Sequence, residues 1–354
     1  MKKTCAAPSI SGVQSTADRP FWSVMIPTYN ARADYLEETL RSVLQQDPGP
    51  AQMQIEVLDD CSPAGPPVEL VHRIAGDRVA VHRESKNNGL AGSWNRCIER
   101  ARGEWVHILH QDDIVLPGFY EHLRKGAEES DAGAIFCRYA VVNSNGHWMH
   151  ISQLHRESVG LLEDWQEAIT ADQPIQCVAI VVRRAVYEHL GGYRPQLRYA
   201  LDWEMWQRIA ASYSFWFEPA ILACCRGHPA SVSRSLELEA ADARDVRRMI
   251  DMTMAYHPER RATVLARRAR TFWAGVAIEN GRHLLVKGHA GAARKQIIEA
   301  LRLSRSWPVL LQFGSFLILW GRIAGARLKR GFWSILRRGP RRRGTAQIES
   351  QSPK

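Results

Sequence analysis

Between Trp22 and Glu129 the chain alternates short apolar runs with amphipathic ones, and this alternation restricts the fold more than any single residue does. Trp22–Pro27 (WSVMIP) reads as a buried strand, followed by a Thr28-Tyr29-Asn30 turn. Asp34–Gln46 then places Leu36, Leu40, Val43 and Leu44 on one face of a helix. Strands are expected at Gln54–Leu58, Val79–His82 and Trp105–Leu109, and helices at Leu90–Arg102 and Pro117–Glu129. Strand and helix joined by short connections imply βαβ units, hence an α/β fold with a mostly parallel sheet flanked by helices. Past Ala134 the pattern loosens: strands near Ala134–Arg138 and Val178–Val182, a Gly191-Gly192 turn, and an apolar helix from Trp203. From Leu236 onward helical periodicity dominates, with Gly281 and Gly288 as breaks, so the C-terminal extension is expected to be helical.

The charge is unevenly spread. The 354 residues carry a net +10, yet residues 321–354 alone hold ten Lys/Arg against Glu349. The rest of the chain is nearly neutral, which excludes a basic groove for nucleic acid in the main domain. Seven scattered cysteines without a C-x-x-C pair suggest neither a zinc site nor a disulfide framework, and fit reduced thiols in the cytoplasm. Residues 1–20 lack the apolar stretch of a secretory signal and are expected to be a flexible leader. No G-x-G-x-x-G or G-x-x-x-x-G-K-[ST] sequence occurs, which counts against a dinucleotide oxidoreductase or a P-loop NTPase.

Two aspartate pairs end expected strands: Asp59-Asp60 after IEVL and Asp112-Asp113 after HILHQ. Carboxylates at the carboxyl ends of parallel strands face the crevice where open α/β sheets bind ligands. Adjacent acids are costly to hold together unless a cation or a donor-rich ligand meets them, so Mg²⁺ with a nucleotide phosphate is one reading. Turn residues and helix N-caps are the plainer one.

The wider context favours the first. SVMIPTYN, then a helix, then a strand ending in DD and Ser62, resembles the opening of family 2 glycosyltransferases, inverting enzymes of the GT-A fold. The resemblance continues through NNGLAGSWNRCIERARGEWVHILHQDD, GGYRP and LDWEMWQR to CRGHPASVS, so it covers about Ser23–Ser233 in the right order. It implies a Rossmann-like GT-A domain at 21–235; helical periodicity gives a helical region at 236–305, and the apolar and basic segments beyond it a separate tail at 306–354. By that resemblance Pro27, Thr28 and Tyr29 form the loop that packs on the nucleotide base. Asp60 accepts from the base N–H, as suits uracil or thymine, and Asn88 and Asn95 line the nucleotide pocket. Asp112 faces the ribose, and Asp113 holds the Mg²⁺ or Mn²⁺ that bridges the diphosphate.

The resemblance also implies that Asp202, in LDWEMW, is the catalytic base, although Leu201 stands where the family usually has an acid. It would take the proton of the acceptor hydroxyl in a single inverting displacement. Trp203 and Trp206 would shape the acceptor pocket, and Glu204 is the competing base. On residues alone, Asp202 reads as an N-cap and the tryptophans as core. Arg226 would pair with phosphate oxygens, and His228 would complete the metal shell or touch the diphosphate. The partners so implied are a UDP- or dTDP-sugar and a glycan or glycolipid acceptor, as in bacterial surface polysaccharide assembly. A sugar nucleotidyltransferase would need a Gly-rich basic loop after the first strand, and PTYNARAD is not one. A non-catalytic protein that binds membrane or nucleic acid through its tail leaves the ordered acidic motifs unexplained.

Trp307–Trp320 (WPVLLQFGSFLILW) has only Gln312 and Ser315 as polar side chains. As a helix it spans about 21 Å, short of the ~30 Å hydrocarbon core. With the basic run behind it, it reads as a helix lying in the interface of an anionic membrane, attaching the protein peripherally to the cytoplasmic face. The alternatives are a helix buried against the domain and a tail that binds RNA.

Overall fold

The computed structural model describes residues 6–13 and 19–337, with side chains in the last helix described to residue 325. The first half builds β1 (Trp22–Thr28), α1 (Ala33–Leu44), β2 (Met53–Asp59), α2 (Val68–Ala75), β3 (Ala80–Arg83), α3 (Gly89–Arg100) and β4 (Trp105–Ile108). All seven residues of β1 are buried, as a central strand covered on both faces requires. Val24 and Ile26 pack with Leu36, Leu40 and Val43 of α1, while Met25, pointing the other way, packs with Trp94 and Ile98 of α3. Apart from α2, for which no helix was expected, these elements follow the expected alternation to within a few residues.

β1 lies between β2 and β4 and runs parallel to both, with β3 outside β2. Chain order therefore reverses at β1, and the loops after Thr28, Asp59 and Ile108 open at the same sheet edge. Beyond β4 the sheet is mixed, unlike the mostly parallel one expected. β5 (Ile114–Val115), α4 (Phe119–Glu129), β6 (Ala134–Val142), β7 (Trp148–Ile151), β8 (Gly160–Leu161), α5 (Trp165–Ala171), β9 (Ile180–Arg183), α6 (Arg184–Leu190), α7 (Leu201–Ala210) and β10 (Phe215–Arg226) follow. β9 is antiparallel to both β4 and β6, and β10 is parallel to β6. β5 pairs antiparallel with the end of β10, which brings the chain after Asp113 against Cys224.

The remainder is helical: α8 (Val232–Leu238), α9 (Ala241–Thr253), α10 (Glu259–Val286), α11 (Ala290–Leu303) and α12 (Trp307–Arg337). One hydrophobic cluster runs from Met25 and Val106 in the sheet through Trp203 and Trp206 of α7 to Trp273, Leu284 and Phe316 of the helices. The Trp203 and Trp273 rings are 5.1 Å apart.

Three expectations need correction. Residues 6–13 are packed, not a free leader: Ile10 is buried, and the carbonyl of Pro8 accepts from the Gly192 amide at 2.8 Å. Gly281 does not break α10. It lies inside that helix, where an added Cβ would meet Ile297 at 3.2 Å, so glycine permits the close approach of α11; Gly288, at φ +91°, is the true turn. α12 does not stop near Trp320 but continues to Arg337, and Trp307–Gly325 is long and apolar enough to cross a membrane by length and composition. Val309 and Phe316 are buried, whereas Trp307, Leu310, Leu311, Leu317 and Ile318 are exposed. Five of the ten basic residues, from residue 338 on, lie outside the described residues.

Candidate active site

The loops that leave β1, β2 and β4 build one side of the site. Pro27 and Thr28 are buried at the end of β1, and Tyr29 projects outward, 45% exposed. Gln111 ties this loop to the acidic one: its Oε1 accepts from the Tyr29 amide at 2.9 Å and its Nε2 donates to the Tyr29 carbonyl at 3.3 Å. The first aspartate pair divides its work. Asp59, fully buried, accepts from the amide and the hydroxyl of Ser62 and so shapes the loop. Asp60 Oδ1 accepts from the Asn88 amide at 2.8 Å and from Asn88 Nδ2 at 3.2 Å. Asp60 and Asn88 therefore meet at the mouth of β2, while Asn95 faces inward. Its Oδ1 accepts from the Tyr193 amide and its Nδ2 donates to the Tyr193 carbonyl at 2.9 Å. Asn95 is a buried clasp on the Gly192-Tyr193 turn, which replaces its expected place in the pocket lining.

The second acid pair sits after β4. His110, Asp112 and Asp113 offer ligand atoms that all lie within 4.8 Å of one another. His110 Nδ1 is 3.4 Å from Asp113 Oδ2, its ring stacks on Trp94 at 4.9 Å, and its Nε2 is buried with no hydrogen-bond partner. Burial pushes the Asp113 carboxyl above the usual carboxylate range, with the charge of Asp112 adding to the effect. For His110 burial acts downward, but the carboxylates of Asp113, Asp112 and Asp202 outweigh it and raise the imidazole. Acidic oxygens and one imidazole nitrogen converging this closely fit a hard divalent cation, which would relieve the cost of holding the acids together.

Arg226 and His228 surround this cluster in roles other than those expected. The Arg226 amide donates to Asp113 Oδ1 at 2.8 Å and its Nε to the Asp112 carbonyl at 3.0 Å. Its guanidinium is buried, pairs with Glu38 and lies 4.5 Å over the Tyr35 ring. Arg226 thus braces the acidic loop, its guanidinium buried against Glu38 and Tyr35. His228 Nε2 lies 2.8 Å from Asp112 Oδ2, so it orients the first acid of the pair and not Asp113.

Asp202 occupies the first turn of α7, buried, with Gln173 Nε2 donating to its Oδ2 at 2.6 Å. Burial pushes its carboxyl up to about 6, against backbone and His110 contributions that act downward. The approach to α7 is held from the C-terminal helices: Asp245 Oδ2 of α9 accepts from the amides of Arg198, Tyr199 and Ala200 at 2.8, 2.8 and 3.1 Å. Glu204 is fully buried and spent on Arg194, Arg208 and the Tyr256 hydroxyl at 2.9, 2.8 and 2.6 Å. That leaves Asp202 as the acid of α7 without an ion pair among the described residues. Trp203 and Trp206 are core, with the Trp203 indole donating to the Ile169 carbonyl, and do not shape an acceptor pocket.

His110, Gln111, Gln173 and Asp245 escaped the sequence reading. His110 and Gln111 adjoin the acid pair in HQDD, a signal within reach. Gln173 and Asp245 act across 29 and up to 47 residues of chain, with no local pattern to mark them.

Residues 23–191 match the family described as Glycosyl transferase family 2. The chain is 38% identical over 129 residues to the putative teichuronic acid biosynthesis glycosyltransferase TuaG of Bacillus subtilis, covering 36% of this chain and 50% of that protein. Its fold is similar to S. aureus TarS 1-349 in complex with UDP-GlcNAc, with a TM-score of 0.57, 16% identity, and 79% of this chain and 89% of that one covered. It is also similar to the mannosyltransferase PcManGT from Pyrobaculum calidifontis in complex with GDP-Man and Mn2+, with a TM-score of 0.54, 20% identity, and 89% and 83% covered.

Proposed function

We propose, for a chain whose residues 23–191 form a glycosyl transferase family 2 domain of the GT-A fold, that it inverts configuration while moving a sugar from a UDP- or dTDP-sugar to an acceptor hydroxyl. The acceptor is a glycan or glycolipid of a surface polysaccharide, a reading supported by the name of the Bacillus relative. The observation that carries the proposal is the His110–Asp112–Asp113 cluster at the mouth of β4, electrostatically coupled to a buried Asp202 whose carboxyl lies near 6. Tyr29 and the Asp60–Asn88 pair hold the base, Asp60 accepting its N–H. Asp112, oriented by His228, faces the ribose side.

Asp113, with Asp112 and His110, would hold Mg²⁺ or Mn²⁺, which when bound supplies positive charge against the leaving diphosphate. The Mn2+ of the Pyrobaculum protein supports this assignment. Asp202 takes the hydroxyl proton as the acceptor oxygen bonds to the anomeric carbon and the diphosphate leaves with the electron pair. A carboxyl near 6 is ionised at neutral pH and more basic than an exposed one, which suits that task. Nucleoside diphosphate release from a panel of nucleotide sugars, with Mn²⁺ and with chelator, tests the reading. Failure to bind or turn over any UDP- or dTDP-sugar overturns it.

We also infer peripheral attachment to the cytoplasmic membrane face through α12. One side of that helix is held by the protein, with Val309 and Phe316 buried and Arg282 bonded to Ser315 and to the Gln312 carbonyl. The other presents Trp307, Leu310, Leu311 and Ile318 to the outside, and the basic sequence follows. A helix committed along one face suits the bilayer surface better than its interior.

A further inference from the structure

A cavity of about 770 Å³ lies between α5, α10 and the chain that follows β7, outside the acidic cluster. Its size is that of a small-molecule site. His155, Trp165 and Phe272 line it together with Asp172, Arg267 and Arg268. Arg261 pairs with Glu167 and Arg270 with Asp251, but neither Arg267 nor Arg268 forms an ion pair among the described residues. Two guanidiniums without carboxylate partners beside aromatic rings match a sugar that carries a carboxylate or phosphate: rings for the apolar sugar face, guanidinium forks for the anion.

The position matters as much as the lining. Asp172 and Pro174 line the cavity, and Gln173, between them, donates to Asp202 Oδ2 at 2.6 Å. The cavity and the proposed base thus share one three-residue segment. Thr271, also in the lining, contacts Ser304 and Ser306 at 3.2 and 3.4 Å, immediately before the exposed helix α12.

We propose that this cavity is a subsite for an anionic acceptor glycan. It would hold the part of the acceptor that does not react, with Arg267 and Arg268 on its negative group, so that the terminal hydroxyl is delivered over Gln173 to Asp202. Binding energy gained away from the reacting atoms in this way orients them. The proposal rests on the glycosyltransferase reading above. The negative group could belong to the glycan or to a carrier phosphate, so two probes are used.

The test is calorimetry on the full chain, with UDP and Mn²⁺ saturating so that the donor side is filled. The probes are trigalacturonate, its neutral methyl ester, and methyl-capped GlcNAc diphosphate. At least one anionic probe should bind, the neutral ester at least about tenfold more weakly, and Arg267→Gln/Arg268→Gln should weaken the anionic probe about tenfold or more, the scale of a lost charged hydrogen bond. Phe272→Ala, on an exposed ring, should weaken it too, while both variants keep wild-type affinity for UDP. Binding of a carboxylate probe alone assigns the anion to the glycan, and of the diphosphate alone to the carrier. If neither anionic probe binds, or the double variant binds as wild type does, the subsite is wrong. Absence of UDP binding in the wild-type protein would instead overturn the glycosyltransferase reading.

Discussion

Replacing Asp202 by Asn separates catalysis from stability in opposite directions. The carboxyl is pushed up from 3.8 to about 6 in the folded chain. Between those values the folded protein keeps a proton that the unfolded chain has released, so stability falls as pH rises through this window and stays lower above it. The gap corresponds to about 3 kcal/mol. Asparagine has nearly the same shape and no charge, so the metal-free Asp202→Asn protein at pH 7.5 should melt at or above the wild type, by up to about 3 kcal/mol. Activity should move the other way. Loss of a general base costs about 10²–10⁴-fold, here read as UDP release from the preferred donor, while calorimetric UDP affinity stays unchanged. The wild type should lose activity about tenfold per pH step below about 6, as the base is protonated, and the variant should not show that slope. Wild-type UDP release by Asp202→Asn would refute the assignment of the base. A melting temperature well below wild type would refute the burial argument.

Asp113→Ala should abolish the part of UDP affinity that depends on Mn²⁺, and unchanged calorimetric affinity with Mn²⁺ present would disprove its role. Glu204→Ala leaves Arg194 and Arg208 buried without their shared partner, so a loss of about 3–5 kcal/mol in denaturant unfolding is expected. A near-neutral result would mean that Glu204 is free for chemistry after all. Serine at Leu310, Leu311, Leu317 and Ile318 together should release the protein from anionic vesicles in a sedimentation assay. High salt should release the wild type only in part, because the apolar face remains. Wild-type protein that ignores such vesicles at low salt would end the membrane reading. Gly192→Ala forces a methyl group against Asn95 and should cost about 1–3 kcal/mol, measurable as a lower unfolding midpoint.

The sequence was most informative where function and strand ends coincide. Asp60 and Asp113 stand just past apolar runs, and periodicity locates the ends of those runs without tertiary knowledge; Asp202, in the first turn of a helix, was marked only by the family resemblance. Polar residues whose partners lie far along the chain were misjudged. Asn95 finds Tyr193 and Arg226 finds Asp113, 98 and 113 residues away, so nothing local reveals that each is already spent. β10 was legible only at its Cys224-Cys225 end, which reads as a buried strand end; upstream, its pairing with β6 shifts register twice between Glu218 and Ala223, which interrupts the alternation that marks a strand. α12 was cut short because its apolar stretch ends at Trp320, whereas the polar and basic residues that follow are still good helix formers.

Asp245 ties the C-terminal helices to the segment that carries the proposed base, a link their distance in the chain conceals. One carboxylate on α9 gathers three successive amides just before Asp202, and the Trp203–Trp273 contact joins the same regions through the core. Sheet and extension should therefore unfold in one cooperative transition, with no stable catalytic fragment ending near residue 235. Occupancy of the donor crevice should then slow amide exchange within α10 and α11. By the same coupling, a substitution at Trp273 that only loosens helix packing would reach the assay as lost transferase activity.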